Sequence, residues 1–445
     1  MRNSLALFLI SLTVFSQTEP TSFSLEDAVN YALINNKSSL DSQNDVRLAE
    51  LQKWQTTSTG LPQISADISY NNQLKQQILL VPSAFLGGDA GEYSELSFGA
   101  DQVLNGVLTL NQKIFDGSYL VALQASKVYL EISKNAQEKT LSKIRIDVAN
   151  AYGNILLIEQ NIIILKSNIN LLEKNINELQ KVYDNGLTEK ENIEQLQLTL
   201  SGLVSSINYN TTLKKLAYQM FNLMLGIDVN RRVILTEKLE DMVLKSSLRP
   251  IQISNKSIEN VTDFKIANNN VRSNELLFKL EKSKALPTLN AFINGSYTGN
   301  NNRFDFLNNS QKWFGASILG VNMSIPLFSS FGRSASTQKA KINLEKSERA
   351  LENIRQEIEI KIKQAQNELD FAQQDLEIKK QALSLAKRIE EKNQIKFFEG
   401  LASSFDLNQA QTQLYNTQKQ YMEALVSVLN KYISLDVLLN PNPIN

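Results

Sequence analysis

Apolar and polar residues alternate in four short segments of the chain. After Pro62, Ile64, Ala66, Ile68 and Tyr70 are interleaved with Ser65, Asp67, Ser69 and Asn71. Leu104, Gly106, Leu108 and Leu110 alternate with Asn105, Thr109 and Asn111. After Pro287, Leu289, Ala291, Ile293, Gly295 and Tyr297 share one face and Asn290, Asn294 and Ser296 the other, with Phe292 as the exception. Leu319, Val321, Met323, Ile325 and Leu327 then alternate with Gly320, Asn322 and Ser324. A period of two predicts strands, over about 62–72, 103–115, 287–298 and 316–328. Leu61-Pro62-Gln63-Ile64 and Leu286-Pro287-Thr288-Leu289 mark the change into that period, because the residue before a proline is pushed out of the helical region.

Elsewhere the apolar spacing is helical. From Arg333 to Glu399 there is neither Gly nor Pro, and Leu351, Ile354, Ile358, Ile362, Ala365, Leu369, Ala372, Leu376, Leu383 and Ala386 recur by threes and fours. That spacing predicts a coiled-coil helix over about 333–399, which at ~1.5 Å per residue reaches roughly 100 Å. A counterpart of matching length spans about 118–184, with one internal Gly153. Phe115-Asp116-Gly117 and Phe328-Ser329-Ser330-Phe331-Gly332 are expected as the turns that precede these helices. Both helices stop at related turns, Tyr183-Asp184-Asn185-Gly186-Leu187-Thr188 and Phe397-Phe398-Glu399-Gly400-Leu401-Ala402, whose glycines suit left-handed caps. Return helices are expected over about 188–225 and 403–439, opened by the capping patterns Thr188-x-x-Glu191 and Ser403-x-x-Asp406. The segment from Gly226 to Val261 reads as an irregular connector. The succession of strands and helices thus occurs twice, in a first repeat over 17–240 and a second over 241–445.

Residues 1–16 read as an export signal: Arg2 is positive, Leu5 to Phe15 is apolar, and Val14 and Ser16 fit the small positions before cleavage at Gln17. The apolar run spans roughly 16 Å as a helix, against about 30 Å of hydrocarbon, too short for a membrane anchor. No later stretch reads as a transmembrane helix, so a membrane-embedded chain is expected to cross as strands.

Composition narrows the function. The 46 Lys and Arg balance 46 Asp and Glu, so no net charge draws the chain to nucleic acid. With no Cys and no His, thiol nucleophiles, disulfides, the usual zinc sites and imidazole bases are excluded together. No carboxylate pair or nucleophile motif has the spacing of a catalytic centre, so no enzyme, catalytic residue, metal site or cofactor is expected. Gly (17) and Pro (8) are scarce while Asn and Gln are abundant, which suits long uninterrupted helices.

The alternation alone fits either a soluble sheet with one wet face or strands in lipid. The export signal and the aromatic residues between the paired strands, Tyr93, Phe98, Phe304, Phe306, Trp313 and Phe314, favour the membrane, where such residues form interfacial girdles. Four strands cannot close a barrel, and an open edge in hydrocarbon leaves backbone groups unsatisfied. Two copies would give a barrel filled by side chains; three would give twelve strands and a lumen. The long helices are too polar for lipid and would project from the barrel to enclose a tunnel. A conduit is the function this architecture implies.

The succession Ser24-Leu25-Glu26-Asp27-Ala28-Val29-x-x-Ala32-Leu33-x-Asn35-Asn36 resembles the TolC family of outer-membrane efflux proteins. So do the Leu-Pro pairs at Pro62 and Pro287, Ile325-Pro326-Leu327-Phe328, and Gly400-Leu401 followed by Asp406-Leu407-x-Gln409-Ala410-Gln411, in order along the mature chain. The resemblance implies a mixed architecture: a homotrimer with a twelve-stranded membrane β-barrel, held in outer-membrane lipid, and a long α-helical coiled-coil barrel in the periplasm. It implies a passive exit duct for efflux or type I secretion, joined through a periplasmic adaptor (membrane fusion) protein to an inner-membrane pump that sets the cargo. By position, Gly186, Leu187 and Thr188 with Gly400, Leu401 and Ala402 would dock the adaptor, and Asp406 would guard the periplasmic mouth. Gln409 is neutral where some relatives carry a second acid. Asp406 equally suits plain helix capping, and a secreted coiled-coil structural or adhesive protein is the alternative to the duct.

Overall fold

The computed structural model describes residues 22–247, 251 and 257–441. The expected export signal over 1–16 lies outside them. Strand β1 (Ser22–Phe23) leads through helices α1 (Leu25–Asn35) and α2 (Lys37–Ser58) to β2 (Gln63–Asn72). A hairpin of β3 (Ile78–Pro82) and β4 (Tyr93–Ser97) precedes β5 (Gln102–Asp116), which runs into α3 (Gly117–Asp184) and α4 (Lys190–Leu225). Then come β6 (Ile234–Leu235), α5 (Leu239–Ser247), α6 (Ser257–Asn260) and α7 (Thr262–Ser283). The described chain closes with β7 (Thr288–Asn301), β8 (Trp313–Ser324), α8 (Gly332–Phe398) and α9 (Ser404–Leu439). It divides into two compact units: a strand unit of residues 44–135 and 266–354, and a helical unit of the remainder.

The strand unit holds a four-stranded antiparallel sheet in the order β2-β5-β7-β8, so β2 and β8 are its edges. Residues in register share a face. The row Ile68, Gly106, Tyr297 and Gly315 belongs to an apolar face, and the row Ser69, Asn105, Thr298 and Phe314 to a mainly polar one. The apolar face is uncovered: Ile68 is 81% and Leu319 75% exposed. On the polar face the Thr298 hydroxyl donates to Asn105 Oδ1 at 2.9 Å. Phe292 sits on that face because its partner in register is Gly320, where a side chain would come within 2.3 Å of the ring.

Several local details differ from expectation. β8 begins at Trp313 and ends at Ser324 instead of continuing to 328. Pro326 has no N–H to give a ladder, and Ser330 and Phe331 turn the chain with φ of 47° and 63°. No separate turn exists at 115–117. β5 passes directly into α3, and Asp116 Oδ1 accepts the N–H groups of Ser118 and Tyr119 at 2.9 and 3.2 Å. The polar segment between β2 and β5 contains the β3–β4 hairpin. Phe306 is only 3% exposed, boxed by Tyr70, Phe304 and Trp313, so it anchors its loop from inside instead of facing an interface.

In the helical unit β1 and β6 pair in parallel, and Tyr152 beneath them donates its hydroxyl to Phe23 O at 3.0 Å. Phe23 of β1 is buried, as are Ala28, Ala32, Val148, Tyr152, Ile155, Phe221 and Leu225, and the Tyr152 and Phe221 rings meet edge to face. Gly226 turns the chain out of α4 at φ 80°, and a Cβ there would meet Asn35 O at 2.3 Å. The connector 226–261 is therefore not irregular throughout: it carries β6, α5 and α6, elements too short to show a period. One stretch of α3 is, by length and composition, long and apolar enough to cross a membrane, contrary to expectation. A third of it is buried, and the α3 residues Val148, Tyr152, Ile155 and Leu165 have almost no exposed surface, so packing within the unit accounts for part of that apolarity.

Candidate docking and gating site

The two tip turns lie in the helical unit and share one backbone design. At the end of α3, Gly186 takes φ 73°, its N–H reaches Tyr183 O at 2.8 Å and Leu187 N–H reaches Val182 O at 3.1 Å. At the end of α8, Gly400 takes φ 72°, with its N–H on Phe397 O at 3.1 Å and Leu401 N–H on Lys396 O at 2.7 Å. This paired bonding satisfies carbonyls that the helix end leaves without partners, and it needs a residue at ease in the left-handed region. Leu187 and Leu401, each next after its glycine, are 78% and 73% exposed. Thr188 and Ala402 are half-buried. Each tip thus presents one leucine outward, over a core of Leu172, Leu179, Ile193 and Leu196 against which Phe397 packs.

The starts of the return helices differ. Ser403 caps α9: its Oγ accepts Asp406 N–H at 3.2 Å, and Asp406 Oδ2 accepts the Ser403 N–H at 3.0 Å and hydroxyl at 2.7 Å. The Ser403 hydroxyl and N–H hold the exposed Asp406 carboxyl below its ordinary range, with Lys396 adding a smaller pull, so it stays ionised at neutral pH. The expected capping pattern at Thr188 does not form. α4 is capped by Glu189, which makes no side-chain bond there, because the helix begins one residue later than the pattern placed it. Thr188 Oγ1 instead accepts Asn192 Nδ2 at 3.1 Å, and Asn192 Oδ1 accepts the hydroxyl of the buried Ser404 at 2.5 Å.

That relay ties one tip to the other through Asn192 and Ser404, which pattern reading did not single out. Thr199 repeats the tie one level along, its hydroxyl donating to Asn408 Oδ1 at 3.2 Å. The available signal was a polar residue at 192 and at 404 among the apolar positions of Ile193, Leu196 and Leu407. The structure therefore brings Thr188 together with the α9 start, while Asp406 stands exposed within its own cap. Further along α8 the buried Glu390 is a second acid close to the tips. Burial pushes its carboxyl up, the Gln411 carboxamide pulls partly back, and the Glu391 charge pushes up again.

The sequence model of the outer membrane efflux protein family matches residues 253–441. No curated protein matches the chain. Among solved structures, the outer membrane protein VceC from Vibrio cholerae superposes with a TM-score of 0.74 at 14% identity, over 93% of this chain and 95% of its own. The CmeC outer membrane channel from Campylobacter jejuni gives 0.75 at 15% identity, over 94% of this chain and 85% of its own. The open state of the MtrE outer membrane channel from Neisseria gonorrhoeae gives 0.71 at 13% identity, over 93% and 88%. The chain has the fold of these outer-membrane channels.

Proposed function

We propose that the chain is the outer-membrane duct of a tripartite efflux or type I secretion system, a passive conduit that works as a homotrimer. The observation that carries this reading is the sheet: four antiparallel strands with an uncovered apolar face, a polar opposite face and two open edges. An apolar face of that kind suits lipid, and open edges in hydrocarbon cost several kcal/mol per unsatisfied group. Three copies give twelve strands, enough for a polar lumen.

The helices supply a second support. On α8, Phe371, Ile378 and Leu385 are exposed at intervals of seven, and on α4 Tyr209, Leu216 and Leu223 are exposed at the same interval. A heptad seam left uncovered within one chain suits a helix of a neighbouring copy. In this reading Leu187 and Leu401, held outward by Gly186 and Gly400 and flanked by Thr188 and Ala402, meet a periplasmic adaptor that connects to an inner-membrane pump. Asp406 places one carboxylate per copy near the mouth of the tunnel.

Mass measurement of the purified protein in detergent tests the proposal. A trimer that needs detergent to stay in solution is expected. A monodisperse monomer, soluble without detergent, would overturn the duct in favour of a secreted coiled-coil protein.

A further inference from the structure

The four strands of the antiparallel sheet carry only three charged residues, Asp67 on β2 and Lys113 and Asp116 on β5. Lys113 Nζ and Asp116 Oδ2 lie 3.0 Å apart and cancel each other. Asp67 is left as the net charge of the sheet. It stands fifth of the ten residues of β2, and its partner in register is Val107, so the neighbouring strand offers it no cation. It makes no ion pair among the described residues.

The face that Asp67 occupies follows from the pleat. Ile68, next along the strand, is 81% exposed on the apolar face, so Asp67 lies on the opposite one, with Ser65 and Ser69 beside it and Asn105 and Thr109 across on β5. The open edge of β2 adds no cation either. Closing a barrel sets β2 of one copy against β8 of the next, and β8 has no charged residue, so no register of that pairing supplies a counter-charge. Ten residues tilted at about 40° rise roughly 25 Å, the height of a barrel's apolar band, which puts the fifth near mid-depth. Twelve strands about 4.8 Å apart at that tilt close at a radius of roughly 12 Å, close to the screening length of ~10 Å at 0.1 M salt.

We infer that Asp67 sets the charge selectivity of the membrane-crossing part of the duct: one carboxylate from each of three copies rings the lumen at mid-depth and favours cationic over anionic cargo. The inference rests on the conduit reading, which supplies the three copies and the closed barrel. A ring of carboxylates filters for cations, and the low-dielectric wall behind it focuses the field into the water of the lumen. The rest of that face is neutral apart from the self-cancelling Lys113–Asp116 pair, so nothing else on the strands opposes or shares the effect.

The chain has no cysteine, so single-cysteine variants of the full-length protein in planar bilayers decide it. The probes are two water-soluble thiosulfonates, one carrying a sulfonate and one a trimethylammonium. Asp67→Cys should react with both: the sulfonate should restore cation preference and the trimethylammonium reverse it. Ile68→Cys, on the lipid side, should react with neither. Asp67→Asn should bring the cation-to-anion permeability ratio towards one, and Asp67→Lys should take it below one, most clearly at low salt. If Asp67→Cys reacts while Ile68→Cys does not, yet the ratio is unchanged in Asp67→Asn, the selectivity role falls and the conduit stands. If Ile68→Cys reacts and Asp67→Cys does not, or if the unaltered protein forms no channel, the conduit reading falls and this inference with it. Should Asp67→Asn fail to assemble, the two modifications of assembled Asp67→Cys still decide, and equal ratios after both would overturn the inference.

Discussion

The turns at Gly186 and Gly400 close with the same two backbone bonds, yet the helices that leave them begin differently. In both, the residue three places past the glycine is the N-cap: Glu189 in one, Ser403 in the other. Six places past stand Asn192 and Asp406. Ser403 and Asp406 turn inward on each other and complete a reciprocal cap. Glu189 cannot, because its longer side chain does not fold back on the first turn, so Asn192 is left to bond sideways to Thr188 and Ser404. The backbone turn is thus fixed by glycine alone, while the neighbouring side chains decide whether a tip spends its polar groups on its own helix or on the other tip.

The largest expected effect tests the shared part. Gly186→Val and Gly400→Val each force a β-branched residue to φ near 70°, at a cost of about 1–2 kcal/mol, and both sites are open enough that no steric clash adds to it. Thermal melts should show similar losses in the two variants. In cells, susceptibility to exported toxic compounds should rise while trimer abundance is unchanged. Full export in Gly400→Val would remove that tip from docking, and a much larger loss at one glycine would break the equivalence of the two turns.

The next effect tests the difference. Ser403→Ala removes a side-chain cap and should cost about 1 kcal/mol, whereas Glu189→Ala removes a residue that makes no such bond and should cost only a few tenths. Denaturant midpoints measured side by side decide it. Equal losses would mean that the two helix starts are alike after all.

How much of this was legible in the sequence follows from the length of each signal. The long helices were, because apolar spacing by threes and fours accumulates over many turns of α3 and α8. The tip glycines were, because only a left-handed cap explains a Gly that ends such a run. The offset of one residue at Thr188 was not, because T-x-x-E fits a capping box as a pattern and only the backbone shows that α4 starts at Lys190. β6 was not, since a two-residue strand has no period and is defined by its partner Phe23 far away in the chain. The relay through Asn192 and Ser404 joins residues 212 apart in sequence, and each alone reads as an ordinary helix-start polar residue.

A smaller effect concerns Glu390. Its carboxyl titrates above the ordinary value in the folded state, so the folded chain binds more protons than the unfolded chain between the two values. Stability therefore falls as pH rises from the unfolded value of about 4.3 through the folded one, and the cost persists above it. Glu390→Gln should raise the melting temperature at pH 7 and leave it unchanged near pH 4. No gain at pH 7 would mean that the carboxylate is better solvated than its burial indicates.

The smallest effect on the fold, and the most telling for the mouth, is at Asp406. At the equivalent position of the other tip stands the neutral Asn192, so the proposed trimer would hold three carboxylates at this level, all of them from Asp406. Like charges in a constriction attract cations and repel anions, and the preference fades with salt as the screening length drops to ~10 Å at 0.1 M. Asn keeps the size of the side chain and can still accept a hydrogen bond from Ser403, so Asp406→Asn should leave the helix start nearly as stable. Because the folded carboxyl titrates below its ordinary value, any stability it contributes is present above the unfolded value of about 3.9 and is lost only as pH falls through the lower folded one. The difference in melting temperature between the two proteins, kept small at neutral pH by the hydrogen bond that Asn retains, should therefore vanish as pH falls through that lower value. Single-channel recording in planar bilayers should show reduced cation preference in the variant, most clearly at low salt. Unchanged selectivity with a lowered melting temperature would assign Asp406 to the cap alone, and the polarity of the mouth would then have to come from other residues.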